Sequence, residues 1–371
     1  MRLAFDDIIR VHAKFGSASE IIEQRRAVYQ LPTELLAEHG SGIADPDVLD
    51  NPMTRGSLGA VLSGMRSYDR SALRPVAELA VEPVMVAGCI VRVAGSVSAP
   101  DVLADAVDRI GAELGRHGSI ARPLTVLTSD RPAFASGYRR LRDGVELAVG
   151  VAPGLALDLL AHVALFAMLE SDSSSRLGSA SVREYPGLVL LPAPISTVEA
   201  AEALIHEGAH QKFFDLAITR AIFGPDQYTA PRFAPSWAAT AAMRSWPLEQ
   251  TFAAFHAYCC LAAFFDAVRR WPEHHPVAPS LLPVAAPRAA EIGEWLARHG
   301  RFLGHDGHVL LEGLLGRRGA QLESGQEPPA DVLAGGGRVI AREFGDRTLV
   351  ARRGTPVDLS WVPTRAPNPS T

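Results

Sequence analysis

The chain has 371 residues, of which 47% are hydrophobic, so it can bury a large core in one domain or two. Its formal net charge is −5 without long runs of one sign, which argues against a surface built for nucleic acid or an anionic membrane. Cys89, Cys259 and Cys260 follow no metal or disulfide spacing and are predicted to be buried thiols. Asp6 and Asp7 interrupt the apolar run that a secretory peptide needs, so a cytoplasmic protein is expected.

Periodicity predicts a helical first third, then mixed elements. Apolar residues recur at helical spacing in segments 19–38, 46–80, 99–116 and 151–170. Short strands are predicted for the segments rich in β-branched residues, 84–93, 123–128 and 145–149. The 151–170 segment is the most membrane-like, but Pro153, Asp158 and His162 favour a buried core helix over a membrane span.

The second half contains the longest predicted helices. The segments in chain order are a strand at 185–192, helices at 200–221 and 248–271 with a structured loop at 224–247 between them, helices at 288–298 and 308–315, and a terminal hairpin of 338–344 with 347–352. These elements predict a predominantly helical α+β fold in which a small sheet is packed by helices. The long central helix carries the motif His206-Glu207-Gly208-Ala209-His210, which is typical of a metal site. We expect a helical region with short strands at 1–150, a catalytic metal-binding region around this motif at 151–320, and a linker, hairpin and loose tail at 321–371.

The strongest chemical signal is His206-Glu207-Gly208-Ala209-His210, an H-E-x-x-H motif. It lies in a segment that begins with the capping box Ser196-Thr197-Val198-Glu199, which predicts a helix. Histidines four residues apart share one helix face, so both imidazoles can bind one divalent ion with the glutamate close by. The motif therefore predicts metal binding by His206 and His210, with Glu207 as a catalytic or metal-adjacent carboxylate; two histidines on a polar helix face are the alternative.

A catalytic metal centre needs a third protein ligand and open positions for water or substrate. The following Gln211-Lys212-Phe213-Phe214 lacks the third histidine of metzincins and excludes that class. His256 is the leading candidate, because an unpartnered imidazole within the apolar helix 248–271 would be costly; a core histidine bonded to a carbonyl is the alternative. Glu249 is the carboxylate alternative, and Asp215 is a third candidate or a partner that holds an imidazole.

Four segments of the chain together resemble one protein family. The segments are Tyr185–Leu191, Ala201–Gln211, a Pro/Trp-rich loop with Arg244, and a helix with His256-Ala257-Tyr258. They are similar to the HExxH-motif peptide-modification proteins, also described as 2-oxoglutarate-dependent HExxH-type peptide β-hydroxylases, which are encoded with ribosomally made peptide natural products. The resemblance covers about residues 151–317.

The resemblance implies an iron(II) oxygenase with 2-oxoglutarate as co-substrate and a precursor peptide as substrate. Such a site needs three protein ligands, open positions for 2-oxoglutarate and O₂, and a cation for the distal carboxylate. His206 and His210 match the metal positions. Arg244 is the candidate for the carboxylate, because arginine offers a bidentate fork, and Arg232 is the fallback.

Two other functional classes stay open. In a zinc peptidase, Glu207 would be the general base that deprotonates a zinc-bound water. In a non-catalytic scaffold or binding protein, the fold would keep at most a structural metal. Imidazole ligands suit iron and zinc alike, and the sequence does not determine the number of subunits.

Overall fold

The structure is a computed structural model that describes residues 5–36, 45–62, 74–81, 83–96, 99–116, 124–170, 179–193, 196–238, 245–271, 282–316, 339–344, 347–353 and 357–363. Several predicted features lie outside these ranges: the polar segment 171–175, the candidate Arg244, the linker 323–337 and the tail after residue 363.

Helices form most of the described chain. In order they are α1 (Phe5–His12), α2 (Ala18–Leu36), α3 (Pro46–Asp50), α4 (Pro52–Leu62), α5 (Ala99–Arg116), α6 (Pro132–Val151), α7 (Pro153–Leu160), α8 (Thr197–Thr219), α9 (Leu248–Val268), α10 (Leu282–Arg298) and α11 (His305–Leu314). The strands are β1 (Val84–Val86), β2 (Cys89–Val91), β3 (Val93–Ala94), β4 (Leu165–Leu169), β5 (Ala180–Ser181), β6 (Leu188–Pro192), β7 (Val339–Phe344), β8 (Arg347–Arg353) and β9 (Val357–Pro363). The prediction of a predominantly helical α+β fold with a small sheet is confirmed.

The central sheet has the strand order β3-β4-β6-β5. β4 runs parallel to both β3 and β6, with Leu165 opposite Leu188, and β5 pairs antiparallel to β6 at one edge. All five residues of β4 are buried, as expected for a strand covered on both faces. β3 comes from the predicted region 1–150 and β4 from 151–320, so the sheet joins both regions.

Two local predictions are wrong, and a third holds only in part. Residues 145–149 are not a strand but the last part of α6, where helical packing of the valines overrides their β-propensity. Residues 151–170 are not one helix: α7 ends at Leu160 and β4 follows, because a short apolar run does not distinguish a buried strand from a buried helix. The strand predicted at 123–128 is shorter than expected: its described residues pair antiparallel with β4 through an isolated bridge between Val126 and Leu169.

The central helix α8 carries the H-E-x-x-H motif. Its N-terminus is capped as predicted, since the Ser196 hydroxyl accepts a hydrogen bond from the backbone N–H of Glu199 at 3.1 Å. It packs against α2, α6, α7 and α9, so most of its residues are buried and its backbone is held firmly. Gly208 lets α7 approach, because a Cβ there would lie 3.1 Å from the Leu159 Cβ.

A glycine on α6 makes a testable contact with this helix. A Cβ at Gly144 would lie 2.5 Å from the Ala200 Cβ, so Gly144→Ala is expected to force α6 and α8 apart and reduce the free energy of unfolding by about 1–3 kcal/mol. Gly150→Ala is the matched control on α6, because its nearest neighbour is 3.9 Å away. Denaturant unfolding compares the two variants, and equal stabilities would contradict this packing.

Helix α9 is long and apolar enough to cross a membrane by length and composition, and it is the helix among the described residues that meets this test. However, 78% of its apolar window is buried inside the fold, as in the core helix of a soluble protein. At the C-terminal end of the chain, β7 and β8 pair antiparallel over the predicted hairpin, and β9 adds a third strand.

Candidate metal site

The two motif histidines face each other across one turn of α8. Their Nε2 atoms lie 3.1 Å apart, and their ring centroids are 4.7 Å apart. Two imidazoles that bind one metal at about 2.0–2.1 Å have nitrogens roughly 2.8–3.4 Å apart, for ligand angles between octahedral and tetrahedral. Burial, together with the nearby His206, lowers the pKa of His210 well below its ordinary value, which favours the neutral ring that metals bind.

Glu207 is buried beside this pair. Its Oε2 accepts a hydrogen bond from the Ser181 hydroxyl at 2.5 Å, and its Oε1 lies 3.9 Å from His206 Nε2. Ser181 belongs to the edge strand β5, so the sheet fixes the orientation of the carboxylate. One carboxylate oxygen is therefore held by Ser181 while the other stays near His206 Nε2.

His256 does not present a free nitrogen to the pair. It lies in the middle of α9, fully buried, and its Nδ1 donates to the backbone oxygen of Ala209 at 2.9 Å. Its Nε2 lies 2.8 Å from Nε2 of His12 on α1. The sequence predicts His256 as the third metal ligand. In the structure its Nε2 faces His12 on α1, and its Nδ1 makes the bond to a backbone carbonyl that was the alternative interpretation.

The two carboxylate alternatives also lie in other interactions. Asp215 accepts from Arg25 Nη1 at 2.5 Å and from His162 Nδ1 at 2.6 Å in a buried ion-pair network. Glu249, in the first turn of α9, pairs with Arg183, and burial raises its pKa. Asp215 does hold an imidazole, but that imidazole is His162 and not a motif histidine.

The described part of the chain supplies no third carboxylate, thiolate or imidazole close to both motif histidines. The group of three such residues that it does bring within 4.8 Å of one another is His12, His256 and Cys260, elsewhere in the core. Further ligands for a metal bound by the motif histidines would then come from a substrate or co-substrate, from water, or from residues outside the described ranges.

An aromatic cluster lies beside His206. The Tyr258 ring centroid is 6.2 Å from that of His206, and Trp237, in the predicted loop 224–247, packs edge-on against Tyr258. Arg288 of α10 lies over both rings, 5.0 Å from the Trp237 centroid and 5.5 Å from that of Tyr258, and donates to the Tyr258 hydroxyl at 2.9 Å. Within the described ranges no carboxylate pairs with Arg288, so its remaining N–H groups can bind an anion.

The structure does not place either arginine predicted for the co-substrate carboxylate at the motif histidines. Arg244 lies outside the described residues. Arg232 is exposed and its guanidinium donates to the backbone oxygen of Ser245 at 2.8 Å. Arg288 is linked to the motif through Tyr258, which it contacts and whose ring packs against that of His206.

Sequence reasoning missed Ser181, Arg288 and His12. Ser181 follows the polar segment 171–175, and a serine in an edge strand has no distinctive pattern. Arg288 is one of many arginines in a chain with two lysines, so its type carried little information. The sequence signal for His12 is weak: it lies at the end of the amphipathic helix α1.

No family model matches this chain, and neither does any curated protein. Function is therefore inferred from the residues of the site and from the resemblance around the motif.

Proposed function

We propose that the protein is an iron(II)- and 2-oxoglutarate-dependent oxygenase that hydroxylates the β-carbon of a residue in a ribosomally made precursor peptide. The single observation that carries the metal site is the 3.1 Å separation of the His206 and His210 Nε2 atoms on a buried, capped helix. The choice of oxygenase chemistry and of a peptide substrate rests on the resemblance around the motif.

The described residues supply two of the three protein ligands of such a centre. His206 and His210 would hold iron(II), which with 2-oxoglutarate and O₂ supplies the power to hydroxylate an unactivated C–H bond. Two protein ligands leave several positions open for a bidentate co-substrate and O₂. Glu207, held by Ser181, would orient a water or an exchangeable ligand beside His206.

Arg288 supports the co-substrate part of the proposal. A 2-oxoglutarate bound at the metal needs a cation for its distal carboxylate, and a charged hydrogen bond of this kind contributes about 1.5–3 kcal/mol. Arg288 is half-buried and lies over the Trp237 and Tyr258 rings, and the Tyr258 ring in turn packs edge-on against that of His206. Trp237 and Tyr258 would exclude water from that pair of charges and so strengthen it.

One observation favours a second function, a zinc peptidase. Glu207 Oε1, 3.9 Å from His206 Nε2, is not engaged by Ser181 and could take a proton from a metal-bound water. Under this function the metal would be zinc, and neither O₂ nor 2-oxoglutarate would matter.

Turnover distinguishes the two functions. Anaerobically purified protein given iron(II), 2-oxoglutarate, O₂ and the precursor peptide is expected to add one oxygen atom to the intact peptide and release succinate, as measured by mass spectrometry. Glu207→Gln is expected to retain part of this activity. Peptide cleavage with zinc alone, abolished by Glu207→Gln while metal stays bound, would replace the oxygenase by the peptidase.

Arginine variants locate the carboxylate site. Arg288→Ala is expected to raise the 2-oxoglutarate concentration for half-maximal rate by about 10- to 100-fold, because it removes a charge-assisted pair. Arg298→Ala, an exposed position on the same helix, is the matched control. If Arg244→Ala raises that concentration and Arg288→Ala does not, the carboxylate is bound by Arg244.

We further expect a cytoplasmic enzyme without nucleic-acid or membrane partners.

A further inference from the structure

Two buried histidines outside the proposed active site point lone pairs at each other. His256 Nδ1 lies 2.9 Å from the Ala209 carbonyl oxygen, which can only accept, so Nδ1 carries the hydrogen. In a neutral ring Nε2 is then an acceptor. It lies 2.8 Å from His12 Nε2, and both side chains are buried.

The same reasoning applies to His12. Its Nδ1 lies 2.7 Å from Asp158 Oδ2, and the other oxygen of Asp158 accepts from Lys212 Nζ at 2.6 Å. A carboxylate paired with an ammonium is ionised and acts only as an acceptor, so His12 Nδ1 is the donor. His12 Nε2 is then an acceptor too, and two acceptors at 2.8 Å repel unless a cation lies between them.

A thiol completes the cluster. Cys260, one turn after His256 on α9, has its Sγ 4.0 Å from His256 Nε2, and the ligand atoms of all three residues lie within 4.8 Å of one another. A tetrahedral metal with bonds of about 2.0–2.1 Å to nitrogen and 2.3 Å to sulfur would place the two nitrogens about 3.3 Å apart and sulfur about 3.6 Å from nitrogen. Both observed distances are within about 0.6 Å of these values.

We propose that His12, His256 and Cys260 form a second, buried metal site for a thiophilic ion of the zinc(II) or copper(I) class. The site ties the N-terminal helix α1 to α9 and does not depend on the function proposed for His206 and His210. Each imidazole already has its Nδ1 held by a carboxylate or a carbonyl, the arrangement that fixes ring orientation at metal sites.

The charges at the site are compatible with a buried ion. Asp158 and Lys212 neutralise each other. Metal binding displaces the Cys260 proton to solvent, and the resulting thiolate offsets one positive charge, so copper(I) would leave the cluster neutral and zinc(II) would leave one positive charge. Because all three ligands are buried, the metal is expected to enter during folding and to exchange slowly.

The test uses the full chain expressed with added zinc, copper or cobalt. His206→Ala/His210→Ala removes the first site, and this protein is expected to retain one equivalent of zinc or copper by elemental analysis. Adding Cys260→Ser to it should remove that equivalent. Cys259→Ser is the matched control, since Cys259 is an equally buried neighbour outside the cluster.

Cobalt(II) provides a measurement that needs no variant. The wild-type protein loaded with cobalt is expected to show a thiolate-to-cobalt charge-transfer absorption, which Cys260→Ser removes and Cys259→Ser retains. Circular dichroism verifies that each variant is folded. The proposal is overturned if the folded His206→Ala/His210→Ala protein holds no metal and the wild-type cobalt protein lacks the thiolate band; a proton shared by His12 and His256 would then explain their contact.

Discussion

Replacing His206 or His210 by Ala is expected to remove one equivalent of bound metal and to lower activity by at least about a thousandfold. The reason is that a metal supplies several kcal/mol of catalytic stabilisation, and each 1.4 kcal/mol corresponds to a factor of ten in rate. The two Nε2 atoms are 3.1 Å apart, so either change leaves a single imidazole, which does not hold a divalent ion firmly. Elemental analysis and turnover of the intact variants measure both effects.

The control for this prediction is His305→Ala, because His305 is an exposed histidine at the start of α11. It should keep the metal content and the activity of the wild type. A folded His206→Ala or His210→Ala protein with the full wild-type metal content would show that the motif does not bind the ion.

Replacing Asp215 by Ala is expected to reduce the free energy of unfolding by about 3–5 kcal/mol, because it leaves Arg25 partly uncompensated in the core. Asp215 bonds to Arg25 and His162, and all three are buried. Burial alone would raise the pKa of Asp215, but Arg25 outweighs it and holds that pKa below the usual range. Urea unfolding at neutral pH measures the loss.

The matched control is Asp266→Ala on α9, a half-exposed aspartate 3.8 Å from Arg270. A pair of this kind contributes about 0–1 kcal/mol, so the variant should unfold close to wild type. Equal losses in the two variants at neutral pH would contradict a special role for the buried network.

Because the folded pKa of Asp215 is depressed, the contribution of Asp215 to the free energy of unfolding is present above its unfolded pKa of about 3.9 and is lost as the pH falls below it.

The parts of the fold that the sequence predicts well have strong local signals. The capping box at Ser196 places the start of α8, and helical periodicity places α5 with both of its ends. Predictions failed where local signals were ambiguous. The valines before Ala152 favour a strand by type but lie in α6, and the buried strand β4 has the same uniform apolarity as a core helix.

The candidate site divides in the same way. A spacing of four residues on one helix predicts that His206 and His210 meet, because that geometry is local. The residues around the motif come from distant segments: Ser181, which bonds Glu207, from an edge strand, and Arg288, which bonds Tyr258, from α10. The contact of His12 with His256 joins residues 244 positions apart, and no local pattern predicts such a pairing.

Anomalous diffraction from crystals of the full chain grown anaerobically with iron(II) and 2-oxoglutarate tests the proposed metal site most directly. The expected result is an iron peak between the Nε2 atoms of His206 and His210, about 2.0–2.2 Å from each, with 2-oxoglutarate bound to it through two oxygens. Crystals that contain iron but show no peak between these two nitrogens would contradict the account.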